Sequence, residues 1–177
     1  TTLMETTTGK LWLGTWSRGI ISTEDSLEVT HIYKTTAAHS DFKMVWDLHQ
    51  HSKTGNIWIT CQSGKLIRYD PVRKSSQMLQ IPVFSYRTIR QVAEDPEGHL
   101  WFGTQDGHIV QYAAEKSLHP DSFRLMDKLS SIINRLYFDK KGDLWVATHG
   151  EGVFKYDHLS GKRLAHYANG GKQGTIF

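Results

Sequence analysis

The chain has 177 residues, of which 38% are hydrophobic, with a single cysteine and a formal net charge of +3. That is long and apolar enough for a substantial core, and one cysteine excludes an intrachain disulfide. Lys and Arg are scattered rather than clustered, which gives nucleic-acid binding no support, and no apolar stretch approaches membrane-spanning length.

In chain order, the first predicted strand is "TTLMET" (1–6), followed by a "TTTG" turn, "LWLGT" (11–15), "GIIST" (19–23) and the more polar "LEVTHIY" (27–33). The same series then returns as "VWDLHQ" (45–50), "SKTG", "IWITC" (57–61), "KLIRYD" (65–70) and "SQMLQI" (76–81). A third writing runs through "TIRQVAED" (88–95), "DPEG", "LWFGT" (100–104), "HIVQY" (108–112) and "SFRLM" (122–126). The fourth is "NRLYFD" (134–139), "DKKG", "LWVAT" (144–148), "GVFKYD" (152–157) and "KRLAHY" (162–167). Each run is short, rich in β-branched and aromatic residues and bounded by Gly-containing turns, the pattern of strands. Only "AAEKSL" (113–118) is helix-prone, which argues against a helical repeat.

The turn glycines Gly9, Gly55, Gly98 and Gly142 are 46, 43 and 44 residues apart, and Trp12, Trp58, Trp101 and Trp145 recur in register behind them. A period near 44 residues matches four strands of about six residues with connections of about five. The expected fold is therefore all-β: four propeller blades of four antiparallel strands, forming an open part of a larger ring. The repeats run approximately 1–43, 44–87, 88–131 and 132–173 within one propeller segment (1–177), and 174–177 starts a further blade.

Gly before each Trp strand is expected at positive φ, closing a tight hairpin. Asp95 and Asp139 are expected to bond backbone N–H groups in their turns rather than act as acids. Runs such as "LWLG" are apolar on both faces and so call for cover on both. Trp12, Trp58, Trp101 and Trp145 are accordingly assigned to the core between neighbouring sheets, with the next small residue letting the sheets approach. Cys61, in the column that holds Thr in the other repeats, is expected to be a small buried side chain.

The pattern "D-x-x-G-x-L-W-x-G-T…G-hydrophobic-x-x-Y-D", fullest in "EDPEGHLWFGTQDGHIVQY" and "FDKKGDLWVATHGEGVFKYDHLSGKRLAHY", resembles the two-component regulator propeller repeat. The first unit departs from it with "TTTG" and lacks the Tyr, and the second has "TC" for "GT". The resemblance implies the extracytoplasmic, periplasmic sensor region of a hybrid two-component histidine kinase, with an oligosaccharide as its ligand. Blades of streptogramin lyases are similar too; they imply a catalytic histidine and a divalent metal, for which His149 and Glu151 are the available candidates. A generic protein-interaction propeller is the third reading.

In such propellers the loops after the Trp strand and those linking successive blades open on one face. Here that face carries Trp16, Ser17 and Arg18, then Gln62 and Ser63, Gln105 and Asp106, and His149 and Glu151, with Tyr86 and Arg87 nearby. Aromatic, guanidinium and amide groups together suit sugar rings and hydroxyls. His49 and His51 could share one side of an extended segment, but no third ligand stands at metal-site spacing. No Ser/His/Asp, G-x-S-x-G or paired-carboxylate arrangement is present. No catalytic residue, metal or cofactor is therefore assigned to this segment. The chain opens without Met and inside a strand, which reads as a piece of a larger protein. Its bare end faces and half-strand are expected to pair with the remaining blades of that protein or with a second copy.

Overall fold

The structure, a computed structural model, describes residues 2–23, 29–31, 44–113, 118–168 and 175–176. Short runs of β-branched and aromatic residues between Gly turns form strands throughout. The first sheet comprises β1 (Thr2–Glu5), β2 (Leu11–Gly14), β3 (Ile20–Thr23) and β4 (Val29–His31). The second holds β5 (Val45–Gln50), β6 (Ile57–Cys61), β7 (Lys65–Asp70) and β8 (Ser75–Gln80). The third holds β9 (Ile89–Glu94), β10 (Leu100–Thr104), β11 (His108–Tyr112) and β12 (Phe123–Lys128). The fourth holds β13 (Ile133–Phe138), β14 (Leu144–Thr148), β15 (Val153–Tyr156) and β16 (Arg163–Tyr167). In every sheet the strands lie in sequence order and pair antiparallel. These are four β-propeller blades, as the repeat demands.

Thr175–Ile176 pairs with β16 as β17, a two-residue fifth strand on the fourth sheet. Backbone pairing with the open edge of β16 satisfies its polar groups there. The helix-prone residues 114–117 lie outside the described residues.

The chain divides into two compact units, residues 1–90 and 91–177, with the boundary inside β9. In the first, Trp12 packs with Val45, Leu48, Ile57, Ile59 and Cys61, and its ring meets that of Tyr69 at 5.2 Å. In the second, Trp101 is fully buried with Ile133, Leu136, Val146, Phe154 and Tyr156, edge-on to Phe138 at 6.0 Å. Small residues permit this approach. A Cβ on Gly14 would sit 2.6 Å from Val45 Cγ1, and one on Gly103 would sit 2.5 Å from Ile133 Cγ2.

Every residue of β6 and β10 is buried, as expected for Trp strands covered on both faces. The outer two differ. Leu11 and Leu13 of β2 are exposed, and Trp145 of β14 is only half-buried. Trp145 stacks on Tyr167 of its own sheet (5.7 Å, 18°), with Lys155 Nζ 5.1 Å from the ring centre.

The turns explain the repeat's acidic residue. Gly9, Gly55, Gly98 and Gly142 all have positive φ, between 71° and 88°. Asp95 Oδ1 accepts the N–H groups of Glu97 and His99 (3.1 and 2.7 Å), and its Oδ2 accepts the Trp101 indole N–H at 2.9 Å. Asp139 repeats this with Lys141 N, Asp143 N and Trp145 Nε1 at 2.9, 3.0 and 2.8 Å. These aspartates therefore fasten the hairpin and also orient the tryptophan. The Trp12 unit has Thr6 at this position, its hydroxyl engaged with Thr8 Oγ1 and Lys10 N.

Candidate ligand-binding face

The loops that follow the Trp strands are shaped by the repeat threonine. Thr15 Oγ1 donates to Gly19 O (2.8 Å) and accepts from Arg18 N (2.9 Å). Thr148 Oγ1 does the same with Gly152 O and Glu151 N (2.8 and 3.0 Å). Thr104 Oγ1 accepts His108 N at 2.8 Å. Linking segments are tied to the same loops through Val45 N to Thr15 O, Gln62 N to Met44 O, Leu129 N to Gly107 O and His149 N to Ile132 O, at 2.9 to 3.3 Å. Cys61 replaces the threonine in the second repeat. It is fully buried, and burial pushes its thiol up to about 12.

Trp16 is 55% exposed and meets Trp46 edge-on at 5.0 Å. The Arg90 guanidinium lies over the other ring of this pair, 4.1 Å from the Trp46 centre. Burial lowers the affinity of Arg90 for its proton. Trp46 Nε1 is buried and has no hydrogen-bond partner among the described residues. Trp46 and Arg90 were not among the residues singled out from sequence. The available signal was their column: each directly follows the apolar residue that opens an inner strand, Val45 or Ile89, and they stand one 44-residue period apart.

Ser63 and Tyr86 share a cavity of about 380 Å³ with Gly64, Lys65, Ile81 and Pro82 among its walls. Both have positive φ, 58° and 62°, and Tyr86 is 94% exposed. A left-handed backbone at a bulky residue is uncommon. Here it follows from the 3-10 turn Pro82–Phe84 packed over Gly64, where a Cβ would overlap Phe84 O. Arg87 braces this turn through Nη1 to Val83 O and Ser85 O (3.4 and 3.3 Å). Arg18 is exposed and Gln62 half-buried.

In the second unit the predicted residues serve mainly as fasteners. Asp106 Oδ1 accepts Thr104 Oγ1 at 2.7 Å and lies 3.1 Å from His108 Nδ1. Glu151 Oε2 accepts Ser130 N at 3.1 Å. Gln105 and His149 are exposed on the loops.

Asp95, Glu97 and His99 lie close enough together to surround a cation. However, both Asp95 oxygens already accept hydrogen bonds, with His99 Nδ1 also 3.1 Å from Oδ2, and Glu97 pairs with His158 Nε2 at 2.6 Å. His51 Nδ1 is likewise taken up within its own turn, by the Thr54 hydroxyl and N–H at 2.9 and 3.2 Å.

The two-component regulator propeller family model matches residues 84–106 and 128–150, within the third and fourth repeats. No curated protein matches it. Among solved structures it is similar to the extracellular domain assigned to a hybrid two-component system of B. thetaiotaomicron, with 22% identity and a TM-score of 0.74 over 97% of this chain and 22% of that one. A second such domain from the same organism gives 20% and 0.72 over 94% and 22%. A chain of the mitotic checkpoint complex gives 14% and 0.75 over 94% and 50%. The chain thus spans about a fifth of either extracellular domain, and at these identities the likeness is one of fold. No helix among the described residues is long and apolar enough to cross a membrane.

Proposed function

We propose that the chain is a ligand-sensing segment of the extracytoplasmic β-propeller region of a hybrid two-component histidine kinase, and that its ligand is an oligosaccharide. The observation that carries this reading is the Trp16, Trp46 and Arg90 stack, an exposed aromatic edge backed by a second indole and a guanidinium. Aromatic rings accept the C–H faces of sugars, and a guanidinium serves ring hydroxyls. The propeller repeats and the extracellular domains that share the fold support the sensor setting. The segment binds and does not itself turn its ligand over. On this reading its other partners are the remaining blades of its parent protein or a second copy.

The test is calorimetric titration of the chain with a panel of plant and host oligosaccharides, repeated with Trp16→Ala. Saturable binding of at least one glycan, weakened at least about tenfold in the variant, supports the proposal. Absence of binding across the panel, or binding indifferent to Trp16, overturns it.

A further inference from the structure

The turn between β9 and β10 carries Asp95, Glu97 and His99, and one carboxylate oxygen of each acid and a ring nitrogen of His99 all lie within 4.8 Å of one another. Facing it, the turn after β15 carries His158, whose Nε2 comes within 2.6 Å of Glu97 Oε2. The His158 side chain is only 9% exposed, and this nitrogen is buried without a hydrogen bond among the described residues. Its approach to Glu97 is close but off the line that a shared proton requires. A buried imidazole nitrogen left without a hydrogen bond calls for a partner, and a cation between the two atoms would satisfy both.

The surroundings hold these groups in place. The His158 ring stands edge-on to Phe138 at 6.2 Å and lies against Gly142, where a Cβ would come within 2.8 Å of His158 Cε1. Asp95 aims the other histidine. Its oxygens take the N–H groups of Glu97, His99 and Trp101, and an ionised carboxylate only accepts, so the proton between Asp95 Oδ2 and His99 Nδ1 (3.1 Å) belongs to the imidazole. The lone pair of the neutral His99 ring is then on Nε2, the arrangement by which a carboxylate orients a metal-binding histidine. The repeat itself does not call for these side chains. At the turn positions of Glu97 and His99 the fourth repeat has Lys141 and Asp143 and the first has Thr8 and Lys10, and the column of His158 holds Pro71 in the second.

We infer that this corner between the third and fourth sheets binds a divalent transition cation of the zinc class, with Glu97 Oε2, His158 Nε2 and His99 Nε2 as ligands and Asp95 as the group that orients His99. Two imidazoles and one carboxylate are a zinc donor set, whereas magnesium and calcium prefer oxygen alone. Glu97 is exposed and His99 half-buried, so the ion reaches the site from solvent and a water can complete its coordination. Because the ligands come from two sheets, the ion fastens one blade to the next.

The experiment is calorimetric titration of the whole 177-residue chain with Zn²⁺, and with Mg²⁺ for comparison, alongside melting curves in each ion. One Zn²⁺ bound per chain with a Kd at or below about 10 μM, no saturable Mg²⁺ binding, and a melting temperature raised by Zn²⁺ support the site. Glu97→Gln and His99→Gln should each weaken Zn²⁺ binding at least about tenfold and abolish the rise in melting temperature, and His158→Gln should do the same. Melting curves without metal establish that each variant is folded; if His158→Gln is not, the two variants in the β9–β10 turn decide. The chain has ten histidines, so Zn²⁺ bound elsewhere would be indifferent to Glu97→Gln and His99→Gln. That indifference, or a Kd weaker than about 100 μM, or equal binding of Mg²⁺, overturns the inference.

Discussion

Asp95 illustrates how one carboxylate can set a turn and a core side chain together. Its side chain is fully buried, whereas that of Asp139 is 23% exposed. Asp95→Ala would leave two backbone N–H groups and a buried indole N–H unpaired, so a loss of about 2–4 kcal/mol is expected, with a smaller loss for Asp139→Ala; urea denaturation of the two variants checks the order. Trp101→Ala removes a fully buried ring and should cost about 3–5 kcal/mol. A loss below about 1 kcal/mol in chemical denaturation would contradict its place in the core. Cys61 is buried with its thiol pushed up to about 12, and only the thiolate attacks disulfide reagents. Native protein at pH 8 should therefore be silent to such a reagent, and unfolded protein should release one equivalent.

Between elements, the decisive quantities are the distance separating sheets and the ties across them. Gly103 in β10 faces Ile133 of β13 so closely that a methyl group must displace it. Gly103→Ala should destabilise by about 1–3 kcal/mol through overpacking, whereas Gly150, which has only Ser131 Oγ within 4 Å, should accept Ala within about 0.5 kcal/mol; paired thermal melts read both. Asp127 of β12 binds Tyr156 OH at 2.7 Å and Arg163 Nη2 at 2.6 Å, joining the third sheet to the fourth. Burial raises the Asp127 carboxyl, but hydrogen bonds from Arg163, Tyr156 and Lys128 N, with the Arg163 charge, outweigh it and hold the group below its ordinary value. A lowered carboxyl contributes stability that is complete above its unfolded value near about 4. That contribution is lost as pH falls through the folded value. Asp127→Asn should accordingly flatten the pH dependence of the melting temperature below about pH 4 while leaving its shape near neutrality unchanged.

At the scale of the whole molecule, four writings of one 44-residue unit produce four sheets with one strand order, so far-UV circular dichroism should show β-structure and little helix. The blades were legible because their signals are local: a Gly turn at positive φ, a short β-branched run, and an alternation that survives repetition. The burial of Trp12, Trp58 and Trp101 was legible for the same reason, since a strand apolar on both faces demands cover. Trp145 is half-buried, and its ring stacks on Tyr167 of the same sheet. Of the predicted loop residues, Trp16 and Tyr86 stand open, while Asp106 and Glu151 are held by Thr104 and Ser130. Their residue types are the same in either role, and only the position of the acceptor or donor distinguishes them.

The sequence by itself therefore determined the repeat, its strands, its turns and the side chains that must leave water, all of which depend on neighbours a few residues away or on one period. The tertiary structure alone decided which side chains meet across sheets: Trp16 with Trp46, Arg90 with Trp46, and Asp127 with Arg163. Those encounters depend on how side chains from separate repeats share a volume, and a repeat motif specifies that volume without specifying what fills it.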